Sequence, residues 1–213
     1  RETYYPWDSI FSLVKTLQPG IQIFSDAGPD IRWVGNEDGW AGPTFWSPID
    51  PSKLIIGASD SDYLNIGDPK GSQWIMGQCD VSIRPGWFYH EDEDGEVKTP
   101  DELTDLYYKS VGRNGVLLLN LPPDRRGLIP DEDAKSLRIF RNILDSTFHT
   151  NLALKQVASI PSGRPDYRFT IHEVTDGNPD TYWSPYAGNF KGEIAVHFEQ
   201  PVQFDRIVLS EPI

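Results

Sequence analysis

Apolar side chains at Trp7, Ile10, Phe11, Val14 and Leu17 recur at helical spacing, which predicts an amphipathic helix over residues 7–17 closed by Pro19-Gly20. Residues 21–24 form a short apolar run rich in β-branched side chains, the pattern of a buried parallel strand stopping at Ser25-Asp26. Residues 27–73 are dense in Gly, Pro, Asp and Asn and predict a long loop of the kind that carries function. Residues 81–84 and 87–89 then look like strand broken at Pro85-Gly86. Thr99 and Glu102 stand at capping-box spacing around Pro100, Leu103, Leu106 and Tyr107 supply the apolar face of the helix that follows, and Gly112 is placed to end it. A continuous apolar run over 116–119, halted by Asn120 and Pro122-Pro123, predicts another buried strand. A last helix opens on Asp131, Glu132 and Asp133, whose charges suit the positive end of its dipole, and continues through Leu137, Phe140 and Leu144.

Helix, strand, long loop, strand, helix, strand, helix is α/β grammar, and the order predicts the second half of a (β/α)8-type barrel over residues 1–150. Such a barrel closes with eight strands, and about three are visible. After residue 150 the pattern turns to short strands and turns, and residues 193–198 alternate polar and apolar as a half-buried strand should. Residues 151–213 therefore predict the start of an antiparallel β-sandwich, left incomplete soon after a further strand begins at 204–209.

Composition narrows the function. A formal net charge of −13 argues against nucleic acid, because phosphate backbones are held by clustered Lys and Arg; a neutral or cationic partner is expected. No run of eighteen apolar residues and no leader-like N-terminus is present, so neither a membrane span nor a signal peptide is expected in this segment. The single Cys79 leaves no intramolecular disulfide. Seven Trp in 213 residues is a high count; most are expected in the core, and the sharper reading is that some form the stacking walls of a sugar site.

Two segments carry a specific likeness. Cys79 to His90 reads CDVSIRPGWFYH and Ser110 to Asp124 reads SVGRNGVLLLNLPPD, and with WVGNE at Trp33 to Glu37 they resemble the catalytic barrel of α-L-fucosidases of glycoside hydrolase family 29, in the branch that prefers α-1,3/1,4-linked fucose. Asp176-Gly177-Asn178 with Thr181-Tyr182-Trp183 resembles the opening of a discoidin-like (factor V/VIII type C) sandwich. The resemblance implies a retaining exo-glycosidase, a fucosylated glycan as substrate, no cofactor and no metal, and a secreted or periplasmic location. Retaining glycosidases need two carboxyl groups about 5 to 5.5 Å apart, one nucleophile and one acid/base. The family's nucleophile is the Asp of a Trp-Phe-Asp-Gly motif that is absent here, so it is expected upstream of Arg1, in the first half of the catalytic domain, which is the implied partner of this segment.

Carried over by motif, Glu37 is the general acid/base, its carboxyl expected to gain burial beside Trp33 or Trp46. Gln78 is the rival position, since a Glu often precedes Cys-Asp-Val in the family and an amide there would disable a catalyst that depended on it. Trp87 is expected to wall the fucose methyl and Trp46 to line the acceptor subsite, each with a core role as the simpler alternative. Arg84 either donates to a sugar hydroxyl or pairs with Asp80. The acidic run 91–96 lacks calcium-loop spacing and predicts a solvated hairpin, and His90, His149, His172 and His197 show no ligand spacing. Two functions remain open at this point: hydrolysis of terminal fucose, or recognition of fucosylated glycans by a degenerate, non-catalytic barrel.

Overall fold

The computed structural model describes residues 5–160, 170–185 and 192–210. The chain divides into two units, Arg1–Ser146 and Thr147–Ile213.

In the first unit the predicted N-terminal helix is α1, Trp7–Leu17, where Tyr5, Trp7 and Phe11 stack in succession. Four strands follow in one all-parallel sheet, β1 (Phe24–Ser25), β2 (Ile31–Trp33), β5 (Met76–Ser82) and β6 (Val116–Asn120), ordered β1-β2-β5-β6. Between β2 and β5 the chain inserts an antiparallel pair, β3 (Pro48–Ile49) with β4 (Gln73–Trp74), and a short helix α2 (Ser61–Ile66). Helix α3 (Pro100–Ser110) crosses from β5 to β6, and α4 (Asp131–Phe148) follows β6. Parallel neighbours need such crossovers, which put helices over the sheet face.

Several expectations change. The strand expected at 21–24 lies at Phe24–Ser25, and Ile31–Trp33, inside the expected loop, is a strand of the central sheet. The strand expected at 81–84 starts at Met76 and ends at Ser82, and residues 87–89 are not a strand: the Ser82 hydroxyl donates to the Gly86 carbonyl at 2.7 Å and closes a turn there. Glu91–Glu96 is a 3-10 helix, not a hairpin. Thr99 and Glu102 form the expected capping box. The stop falls at Asn114 (φ 65) after a 3-10 turn, not at Gly112, and Gly115 N–H then reaches back to the Ser110 carbonyl at 2.9 Å.

Alternation along β5 sorts its two faces. Cys79 packs with Val34 and Ala41, and Val81 with Ile83, Leu103 and Leu106 beneath α3. Each such fully buried aliphatic side chain contributes about 1.5–3 kcal/mol. Met76, Gln78, Asp80 and Ser82 therefore share the opposite face.

Just past β5, Arg84 is wholly buried. Its Nε donates to both Asp133 carboxylate oxygens at 3.1 Å and its Nη2 to Asp133 Oδ1 and Asp94 Oδ1, each at 2.7 Å. Nη1 donates to the His90 carbonyl at 3.1 Å, and the Tyr89 ring lies 4.8 Å from the guanidinium carbon. Asp133 thus does more than face the α4 dipole: it is buried against Arg84.

In the second unit β7 (Val157–Ser159) pairs antiparallel with β8 (Ala195–His197), inside the strand expected at 193–198. The Asp176-Gly177-Asn178 segment is a tight turn in which Asn178 N–H donates to Asp176 Oδ1 at 2.8 Å and the Thr181 hydroxyl to Asp176 Oδ2 at 2.7 Å, while Gly177 supplies the left-handed φ of 78°. Residues 204–209, expected as a strand, form none; Phe204, Ile207, Val208 and Leu209 are exposed.

Replacing Asp133 by Ala leaves a buried guanidinium without its main counter-charge and should cost about 3 kcal/mol of stability. Urea unfolding of the D133A protein checks this, and the R84M/D133L pair should recover most of the loss.

Candidate active site

In open and closed parallel sheets alike, chemistry gathers beyond the strand C-termini. The loop after β2 carries Glu37 and the loop after the neighbouring β5 carries Trp87. They meet: Trp87 Nε1 donates to Glu37 Oε2 at 3.0 Å across fifty residues of chain.

Each partner is fixed by its own sequence. Gly35 and Gly39 hold φ of 85° and 80°, and a side chain at either would strike Ser61 backbone or the Val81 side chain. Between them the Asn36 amide donates to the Trp40 carbonyl at 3.0 Å and accepts from Asp38 N–H at 3.0 Å, shaping the turn that presents Glu37. The Asn65 amide of α2 donates to the Val34 carbonyl at 3.2 Å and anchors the loop's base. On the other side, the Asn120 amide at the end of β6 donates to the Trp87 carbonyl at 3.0 Å and to the Ser82 hydroxyl at 3.1 Å. Trp87 is half-buried and Glu37 exposed. The indole that hydrogen-bonds Glu37 is thus that of Trp87, and the burial expected for its carboxyl is not present.

The remaining candidates scatter. Gln78 is buried mid-strand, in register with Trp33 and Val116, and is a neutral amide below the strand end. Trp46 is partly exposed, its carbonyl held by Arg32 Nη2 at 2.7 Å, and among the described residues no hydrogen bond ties it to Glu37 or Trp87. Arg84 is corrected on both counts: all three guanidinium nitrogens are engaged with Asp133, Asp94 and His90, so it neither pairs with Asp80 nor offers a donor to a sugar.

Asp80 is instead bound by Trp33, whose indole Nε1 donates to Oδ1 at 2.6 Å. Burial pushes the Asp80 carboxyl above its ordinary value; the Trp33 hydrogen bond and a backbone hydrogen bond pull the other way, and the charge of Glu37 adds to the rise. On the opposite face the Cys79 thiol is pushed up to about 12, chiefly by burial. It is therefore a core side chain rather than a nucleophile. Sequence reasoning missed Asp80, Asn120 and Asp133; the shared i, i+2 face of Gln78, Asp80 and Ser82 was the signal for the first. Among the described residues no cluster of His, Cys, Asp and Glu has a geometry that could hold a metal ion, and no helix is long and apolar enough to cross a membrane.

A carboxylate and an indole thus converge from adjacent post-strand loops at the C-terminal edge of a parallel α/β sheet. The α-L-fucosidase family profile matches residues 57–145. Alpha-L-fucosidase 1 of Arabidopsis thaliana is 41% identical over 215 residues, covering 100% of this chain and 42% of its own length. The crystal structure of SpGH29 superposes with a TM-score of 0.84 at 36% identity, covering 92% of this chain and 42% of that one. A Ruminococcus gnavus GH29 fucosidase in complex with fucose gives 0.78 at 30% identity, covering 92% and 41%. Profile, sequence and structure point the same way: over the matched residues the chain is similar to α-L-fucosidases, including solved members of glycoside hydrolase family 29. The chain spans about two fifths of the length of the curated relatives it matches.

A carboxyl held above its unfolded value weakens the fold when it ionises: its contribution is favourable below the ordinary value of 3.8 and is lost as pH rises through the raised one. D80N carries no charge into that site. Its melting temperature relative to the unsubstituted protein should therefore climb as pH rises from about 4; a difference that stays flat or falls with pH contradicts this.

Proposed function

We propose that the protein containing this segment is a retaining exo-α-L-fucosidase acting on terminal α-1,3/1,4-linked fucose of oligosaccharides or glycoconjugates. The observation that carries this is the 3.0 Å contact between Trp87 and Glu37 at the mouth of the sheet, made by two motifs the sequence ties to that family. Glu37 is the general acid/base. It protonates the glycosidic oxygen as fucose passes to an Asp nucleophile upstream of Arg1, then takes a proton from the water that hydrolyses the glycosyl-enzyme. Trp87 holds that carboxyl through its N–H while its ring offers an apolar wall to the fucose methyl. Trp46 lines the acceptor side.

Residues 1–150 belong in this reading to the (β/α)8 catalytic domain. Residues 151–213 are the start of a discoidin-like sandwich, and the protein is secreted or periplasmic. The chemistry draws on carboxylates alone.

The test is turnover by the full-length protein of an aryl α-L-fucoside and a branched fucosylated trisaccharide. E37Q should lower kcat/KM on the trisaccharide by about 10²–10⁴. The loss should be smaller on an aryl fucoside whose leaving group needs no proton, with azide restoring turnover because it needs no general base. Undiminished E37Q activity would remove Glu37 from the chemistry. Binding of fucosylated glycan without any turnover by the unsubstituted protein would establish the non-catalytic alternative.

A further inference from the structure

Asp80 is held in a way that stability does not explain. It lies on β5 two residues before the strand ends, on the face opposite the Cys79, Val81 and Ile83 packing, and it is half-buried. Its bound partner is the neutral indole N–H of Trp33, the last residue of β2, at 2.6 Å. Among the described residues no Lys, Arg or His forms an ion pair with it, and the nearest arginine in sequence, Arg84, is spent on Asp133 and Asp94. The Coulomb interaction with Glu37 is repulsive, which places the two carboxylates close enough to feel each other. An Asn would accept the same indole hydrogen bond without bringing a charge out of water. A half-buried carboxylate that has no counter-ion among the described residues, gripped by an indole and beside Glu37, is a candidate functional position.

We propose that Asp80 is a sugar-binding residue: with one oxygen fixed by Trp33, its other oxygen accepts a hydrogen bond from a hydroxyl of the bound fucose. This rests on the fucose-site reading above. Ionised oxygens make the stronger hydrogen bonds to hydroxyl donors, and a hydroxyl is a donor that a neutral, polyhydroxylated ligand supplies without adding charge. Trp33 keeps the carboxylate in one rotamer, so little of the bond's strength is spent on ordering it. The roles then divide. Glu37, on a loop and exposed, moves protons; Asp80, on a strand and gripped by an indole, positions the ring.

The test is calorimetric binding of L-fucose and its monodeoxy analogues to the full-length protein and to its D80N variant. L-fucose should bind D80N about 10- to 100-fold more weakly, the range for losing a hydrogen bond to a charged group. One monodeoxy sugar, the one lacking the hydroxyl that Asp80 accepts from, should bind both proteins alike. An L-fucose affinity unchanged in D80N overturns the assignment, as does an equal loss across the whole deoxy series. Should D80N fail to fold, D80E keeps the charge and displaces it by one methylene, and the same deoxy-sugar comparison decides. Trisaccharide hydrolysis by the unsubstituted protein with an unaltered D80N affinity sinks the Asp80 role alone. Fucose binding without hydrolysis sinks the catalytic reading alone, and no fucose binding by the unsubstituted protein sinks both.

Discussion

The Arg84 guanidinium is the constraint on which the geometry of the site depends. From just past the end of β5 it reaches Asp133 at the start of α4, Asp94 in the 3-10 helix and the carbonyl of His90, with Tyr89 over its face. The segment between Ser82 and Val97 is thereby pinned at both ends of its excursion. Trp87 rides on that segment, and its own carbonyl is tied down by Asn120. A buried ion pair of this kind is a poor net stabiliser relative to well-packed apolar side chains of similar size. What it supplies here is direction: the fixed fork of the guanidinium ties the loop to Asp133, Asp94 and the His90 carbonyl at once.

The facing loop is built by other means. Among the described residues no ion pair holds the turn at Glu37; two glycines in left-handed geometry and the Asn36 amide shape it, and α2 braces it through Asn65. Behind that turn, Arg32 is buried with its Nη2 on the Trp46 carbonyl and its plane 4.8 Å from the Phe45 ring. Burial lowers this guanidinium to about 10. It stays cationic at neutral pH and satisfies carbonyls that the irregular β2–β5 connection would otherwise leave unpaired. Two loops of independent construction thus deliver one carboxylate and one indole to within 3.0 Å. Each side chain is placed by contacts that do not depend on the other.

What the sequence made legible was whatever is local. Helix α1, the capping box of α3, β6 and α4 all follow from periodicity and end signals within a few residues, although β6 leaves Val116 and Leu118 exposed and is not the buried strand expected. Strand β2 was hidden because it is three residues long and its central residue is a buried arginine, a pattern no hydrophobic count registers. The error over Arg84 has a comparable origin. Residues 80 and 84 share a face only while the strand continues; β5 ends at Ser82, and the turn closed by the Gly86 carbonyl sends Arg84 toward α4. Asp133 could not be told from a dipole-facing acid without knowing what α4 packs against. Glu37 was legible through a motif, but its neighbour was not, since Trp87 lies fifty residues away and only the parallel pairing of β2 with β5 brings the two loops side by side.

Three carboxylates within this one unit illustrate how a fold spends charge. Asp133 is wholly buried and answered by a guanidinium, so it serves position. Glu37 is exposed, and its carboxylate accepts the Trp87 indole N–H. Asp80 is intermediate in burial and answered by a neutral indole. Its immediate neighbour Cys79 points into apolar packing, so a single step along β5 separates the core from the polar face. A one-residue register shift would exchange those environments and bury the carboxylate among Val34 and Ala41, which no pairing could compensate. The five-residue parallel register of β5 with β6, from Gln78 opposite Val116 to Ser82 opposite Asn120, is therefore what keeps Asp80 on the face of the site and Cys79 in the core.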